Sequence, residues 1–184
     1  FNFVGGKERY DRDVIQALQE GGADLNVVRL SGRKPTQKIT FVLRACLQAL
    51  LFRPNVICCA HVSFAPIIYI LRRLTGISYV VFVAGIEVWN IKTTLLKKTL
   101  KNARLIVSVS DYTAKRLKDQ IETLEEKIRI VPPTVRENLF VIKEKPEYLV
   151  RRHGLQGKET LLTVARLRPD EEEKGYLKVI DALP

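Results

Sequence analysis

The chain has 184 residues, of which 46% are hydrophobic and 28% charged. This is the balance of a globular protein with enough apolar side chains for a sizeable core, and it excludes a disordered tail, a collagen-like repeat and a disulfide-dense miniprotein. Lys and Arg number 31 against 20 Asp and Glu, a formal net charge of +11, which suits anionic partners such as phospholipid head groups, nucleic acid or phosphorylated substrates.

In chain order, Gly5-Gly6 precedes an expected helix over 7–20, with Tyr10, Val14, Ala17 and Leu18 on one face and Gly21-Gly22 as its stop. Residues 25–30 read as a strand. After a loop with Ser31-Gly32 and Pro35, residues 37–52 read as a helix with only a thin polar stripe at Thr40, Arg44 and Gln48, hence largely buried. A short apolar strand over 55–60 follows, then a helix over 63–74 that tolerates Pro66 near its first turn. The pattern continues with a strand over 77–83, an amphipathic helix over 91–101 and a strand over 105–109. Ser110 is placed to cap the helix bearing Ala114, Leu117, Ile121 and Leu124. A strand over 127–131 ends at Pro132-Pro133. A short helix is expected within 144–153, a strand over 159–165 and a helix beginning at Gly175.

Strands that alternate with helices and are apolar on both faces imply a parallel sheet covered on both sides. The expected fold class is therefore α/β: a Rossmann-like, doubly wound parallel sheet over residues 1–157, with 158–184 as the first strand and helix of a second Rossmann-like domain. The chain holds no Met, and its last residues read as a helix cut near its end. It therefore reads as an internal piece of a longer protein, with the remainder of the second domain missing.

Three cysteines, Cys46, Cys58 and Cys59, make an odd number with two adjacent in an apolar run, which suits a reducing, cytoplasmic compartment rather than a disulfide framework. Cys58-Cys59-Ala60-His61 lacks the paired spacing of a zinc site and reads as buried strand; no metal site is expected. The longest apolar stretches fall short of the ~18–20 residues that span a bilayer. Residues 1–157 carry 26 basic and 14 acidic residues, a net of +12. The densest cationic run is Lys92, Lys97, Lys98, Lys101, Arg104, Lys115, Arg116 and Lys118, opposed only by Asp111 and Asp119. It is either a solvated helix face or a docking face for anions.

Ligand crevices of open parallel sheets lie at the carboxyl ends of the strands, so the chemistry is sought just after each strand. Gly5-Gly6 before a helix offers free backbone N–H groups to a phosphate, or is a plain turn. In Gly85-Ile86-Glu87-Val88-Trp89 the carboxylate sits at the crevice, or Glu87 caps the following helix. Arg166 and Lys174 flank a loop leaving a strand. A guanidinium fork and an ammonium could neutralise a diphosphate there, or pair with the acidic run Asp170–Glu173 between them.

The ordered set of these segments resembles the family 4 glycosyltransferases. The resemblance rests on Gly5-Gly6-Lys7-Glu8-Arg9, Gly85-Ile86-Glu87-Val88-Trp89, Ser108-Val109-Ser110 with Tyr112-Thr113, and the strand leading to Pro132-Pro133. It rests also on Leu161–Leu167, Lys174-Gly175-Tyr176 and Val179–Pro184. The resemblance implies a GT-B fold, two Rossmann-like domains facing a cleft. It implies transfer of a sugar from a UDP or GDP sugar to a glycan or lipid-linked acceptor, with retention and without a metal or other cofactor. On that reading Arg166 and Lys174 neutralise the donor diphosphate and Gly5 and Gly6 contact the same phosphates. Glu87 and its turn then lie beside the transferred sugar and acceptor, and His61 on the acceptor side. Three positions depart from the family pattern: Ala84 where His is usual, Pro133 where Asn is usual and Arg136 where Asp is frequent; set against that pattern, the first strand of the first domain is missing as well. The chain as it stands is expected to be inactive in transfer, and its basic first domain to dock peripherally on anionic membrane. The alternatives are a basic, non-enzymatic α/β protein that binds nucleic acid or a partner, and a paralogue that has lost catalysis. Nucleic acid is not the expected partner, because no helix-turn-helix, aromatic RNA-binding motif or zinc module is present.

Overall fold

Four short apolar runs pair side by side in the computed structural model, which describes residues 5–30, 32, 34–122, 125–135, 141–164 and 175–183. The strands β1 (Val56–Cys59), β2 (Ser78–Val83), β3 (Leu105–Ser108) and β4 (Ile128–Ile130) form one parallel sheet in the order β1-β2-β3-β4. Cys59 pairs with Val81, Val83 with Ser108, and Ser108 with Ile130. Between them run α3 (Ala65–Thr75), α4 (Thr94–Asn102) and α5 (Asp111–Lys118). Because each strand follows its predecessor in one direction across the sheet, right-handed crossovers place all three helices on the same face.

That face holds the core. Tyr79, Val81 and Val83 of β2 are fully buried while the alternate residues Ser78, Val80 and Phe82 are partly exposed, the period of two that a half-covered strand shows. Cys59, Ile106 and Ile128 extend the buried row, and Ala65, Leu100, Ala114 and Leu117 cover it from the helices. On the opposite face, α1 (Gly6–Glu20) lays the buried Tyr10 ring edge-on to Phe82, with centroids 6.5 Å apart. The Tyr10 hydroxyl donates to the Val131 carbonyl at 2.9 Å. The molecule is thus an α/β protein with a four-stranded parallel sheet flanked by helices, a layout compatible with a Rossmann-like fold.

Four expectations are corrected. Residues 25–30 join no ladder and run irregularly; an apolar sequence alone does not make a strand when no neighbouring edge pairs with it. Residues 159–164 are likewise irregular, since no described strand lies beside them. The helix α2 (Pro35–Phe52) forms where expected but is not largely buried. Ile39, Leu43, Leu47, Leu50 and Leu51 are each more than half exposed, because α2 is covered on one side only. Gln48, assigned to the polar stripe, instead turns its Oε1 into a buried position with no partner among the described residues.

The chain divides into two units, residues 1–135 and 136–184. In the second, α6 (Glu147–His153) ends at Gly154 in left-handed geometry, φ 59°, and the Lys145 ammonium donates to the Lys158 carbonyl and to Thr160. Beyond the irregular segment, α7 (Tyr176–Asp181) follows Gly175. Among the described residues no helix is long and apolar enough to cross a membrane.

Candidate functional site

The carboxyl ends of all four strands lie along one edge of the parallel sheet, and most of the expected site residues sit there. Gly5 is the N-cap of α1 and Gly6 its first residue. This end of α1 belongs to the same edge: the Lys7 ammonium acts through space on the Cys59 thiol at the end of β1, and Tyr10 reaches the carbonyl just past β4. A side chain at Gly6 would meet nothing within 4 Å, and the residue is exposed. At Gly5 the Glu8 carboxylate occupies that space, 2.6 Å from where a Cβ would stand. A carboxylate there is favoured by the helix dipole and fills the space over Gly5.

After β2 the chain turns sharply at Gly85, φ 148° and ψ −122°, a conformation open in practice only to glycine. Glu87 then folds back so that its Oε1 accepts from the Ala84 N–H at 2.7 Å. The carboxylate therefore closes the turn of its own loop rather than capping the following helix, whose N-cap Thr93 has no side-chain cap bond, while remaining partly exposed at the edge. The far side of the turn is tied to the region around α5. Gln120 Nε2 donates to the Val88 carbonyl at 2.8 Å, and Gln120 Oε1 accepts from the Ile91 N–H at 2.6 Å. Trp89 meets Tyr112 edge-to-face at 5.2 Å. Ser110 caps α5 as expected, accepting from the Thr113 N–H at 3.2 Å.

These contacts make the Gly85 turn a fixed part of the scaffold. Gly85→Ala is expected to lower stability by about 1–3 kcal/mol through backbone strain alone. A Cβ there would lie 3.9 Å from the Trp89 ring, an ordinary contact, so urea unfolding of G85A reads the strain without a clash.

His61 follows β1 and is exposed. Its Nδ1 accepts from the Ser63 N–H at 3.2 Å, capping the 3-10 turn Val62–Phe64. Beside it opens a cleft of about 630 Å³. Ile39, Val42 and Leu43 of α2 form one wall and Phe64 and Ile67 the other, with Lys38, His61 and Ser63 as its polar members. The sequence reading missed Lys38, Ser63 and Gln120. A cation one turn into an apolar helix was a weak signal for Lys38. Nothing local marked Gln120, whose partners lie 29 and 32 residues away.

Cys58 and Cys59 point to opposite faces of β1, as neighbours on a strand must. Of Cys58-Cys59-Ala60-His61, expected as buried strand, only Cys59 is buried, because the other face of β1 is open at this edge; desolvation pushes both thiols up, Cys59 to about 12, so neither is set up as a thiolate ligand or nucleophile. Among the described residues no group of three His, Cys, Asp or Glu gathers. Arg166 and Lys174 lie outside the described residues. A scan against known protein families finds no match for the chain, and neither does a search of curated proteins.

Proposed function

We propose that the chain is part of a retaining glycosyltransferase of the family 4 type, moving a sugar from a UDP or GDP donor to a glycan or lipid-linked acceptor, and that its sheet belongs to the acceptor-side domain of a GT-B fold. The observation that supports this reading is the shared edge. The Gly5–Gly6 helix start, the Gly85 turn with Glu87, and His61 all lie at the carboxyl ends of one parallel sheet, where such sheets take their ligands. In transfer the bond from the sugar to the diphosphate breaks, the acceptor oxygen takes its place on the sugar, and the acceptor's proton is lost. The barrier is set by charge growing on the departing diphosphate. Gly6 N–H, Arg166 and Lys174 are the groups assigned to that charge. Glu87 is assigned to hold the turn against the transferred sugar, and His61 to the acceptor side. Three free thiols support a reducing, cytoplasmic setting, with peripheral contact to anionic membrane.

The test uses the intact protein from its source cells, whose mass is first compared with 21.0 kDa. Offered UDP and GDP sugars with glycan and lipid-linked acceptors, a protein about twice that mass, as two full domains require, should release nucleotide only when acceptor is present. The 184-residue chain alone should release none. Absence of acceptor-dependent release from the intact protein with every donor overturns the reading. The exposed cations Lys92, Lys98, Lys101, Arg104, Lys115 and Arg116 on and around α4 and α5 favour one second reading, a polyanion-binding module without catalysis. Salt-sensitive DNA binding tighter than micromolar would select it.

A further inference from the structure

We infer that the cleft between α2 and the 3-10 turn after β1 binds an anionic amphiphile: a single hydrocarbon chain, prenyl or acyl, carrying a terminal phosphate. The inference rests on the proposed transferase reading and narrows its acceptor from a glycan to a lipid phosphate.

Shape and lining come first. At about 630 Å³ the cleft lies within the range of small-molecule sites, ~300–1,000 Å³. Its walls are Ile39, Val42, Leu43, Phe64 and Ile67, which offer a sugar nothing to hydrogen-bond and a hydrocarbon chain a place out of water. The apolar surface continues along α2 beyond the cleft through Leu47 and Leu50, both exposed, so a chain longer than the cleft stays on apolar surface.

Charge decides the head group. Every polar side chain lining the cleft can donate. Lys38 has no ion-pair partner among the described residues. Because His61 Nδ1 accepts from Ser63 N–H, the imidazole carries its proton on Nε2, free to donate. Ser63 adds a hydroxyl. No Asp or Glu occurs anywhere from residue 25 to residue 86, a stretch that includes Arg29, Lys34, Lys38, Arg44, Arg53 and Arg73. An ammonium, an imidazole N–H and a hydroxyl, with no carboxylate supplied by the surrounding sequence, match a phosphate. They do not match a neutral alcohol or a cationic head group.

The probe is dodecyl phosphate below its micelle concentration, titrated calorimetrically into the 184-residue chain, with dodecanol and inorganic phosphate as comparisons. Dodecyl phosphate is expected to bind about tenfold tighter than dodecanol, the worth of one charged hydrogen bond, and inorganic phosphate alone should give no measurable binding. Leu43→Asp should weaken dodecyl phosphate by about tenfold or more, since it sets a carboxylate in the apolar wall. Lys38→Glu should remove the advantage over dodecanol. Leu51→Asp, on the same helix but outside the cleft, should leave affinity unchanged and also reports whether α2 tolerates a surface carboxylate. Equal affinity for phosphate and alcohol overturns the inference. So does equal weakening by L43D and L51D, which would mean adhesion to an apolar surface such as a bilayer would also meet. If the amphiphile binds but the intact protein transfers no sugar, the transferase reading falls and the cleft assignment stands. If sugar is transferred to a soluble glycan and the amphiphile does not bind, the reverse holds.

Discussion

Leu117→Ala is expected to lower the unfolding free energy by about 3 kcal/mol, the middle of the range for removing a buried leucine. Leu117 is fully buried under the sheet, in the cluster that holds Val81, Val83 and Ile106. It sits on α5, a helix of only 8 residues whose anchorage is the buried set Thr113, Ala114 and Leu117. So short a helix has little stability of its own, and truncating one of three anchors loosens its attachment. Three residues on, Gln120 is bonded to the Val88 carbonyl and the Ile91 N–H, so the loss reaches the Gly85 turn. Two measurements separate the effects. Urea unfolding gives the global loss, and hydrogen exchange at the Ile91 amide reports the latch. Gln120→Ala should deprotect that amide with a smaller global cost, about 1–2 kcal/mol for the buried groups left unpaired. A Leu117→Ala midpoint within a few tenths molar of the parent, with unchanged slope, would show that α5 is not held by this side chain.

The strands and their partners were legible because the information is local and repeated. The apolar run Tyr79–Val83, the short apolar run at 105–107, Ile128 and Ile130 around Arg129, and helical spacing between them each mark an element, and Ser110 before an acidic first turn marks a cap. Lost expectations share one cause: they depended on a neighbour. Residues 25–30 and 159–164 have strand-like sequence, yet a strand exists only when an adjacent edge accepts its hydrogen bonds. The burial of α2 depended in the same way on what packs against its second side. At the site the positions were legible and the roles were less so. That Glu87 stands at the edge follows from strand order; that its carboxylate is held by the Ala84 N–H depends on the path of the backbone through Gly85. The C-cap Arg53, in left-handed geometry at φ 42°, was not foreseen, because non-glycine residues take that conformation only where context imposes it.

Alkaline pH should unfold the protein through two buried acids that must stay protonated. Cys59 and Tyr79 are 3% and 0% exposed. Desolvation raises the Cys59 thiol from its ordinary 9.0 to about 12, against the weaker pull of Lys7. The Tyr79 phenol rises from 10.0 to about 12, also by desolvation, although Arg72 lies over its ring. Its hydroxyl donates to the Thr99 carbonyl at 2.5 Å, a bond lost on ionisation. Both groups hold their protons more tightly folded than unfolded. The stability they contribute is therefore complete below about pH 9 and is lost as pH rises toward 12. The change from 9.0 to about 12 corresponds to a ceiling of roughly 4 kcal/mol, and that from 10.0 to about 12 to roughly 3 kcal/mol. Together these are comparable to the whole stability of a small domain, ~5–15 kcal/mol. The comparison that isolates the buried acids is urea unfolding of the parent against the double variant Cys59→Ala, Tyr79→Phe from pH 7 to pH 11. The variant should start lower at neutral pH, having lost packing and the Thr99 bond, and fall less steeply above pH 9. Parallel pH profiles would mean that both groups ionise as readily in the folded chain as in the unfolded one, and that the rows of side chains around them do not keep water out.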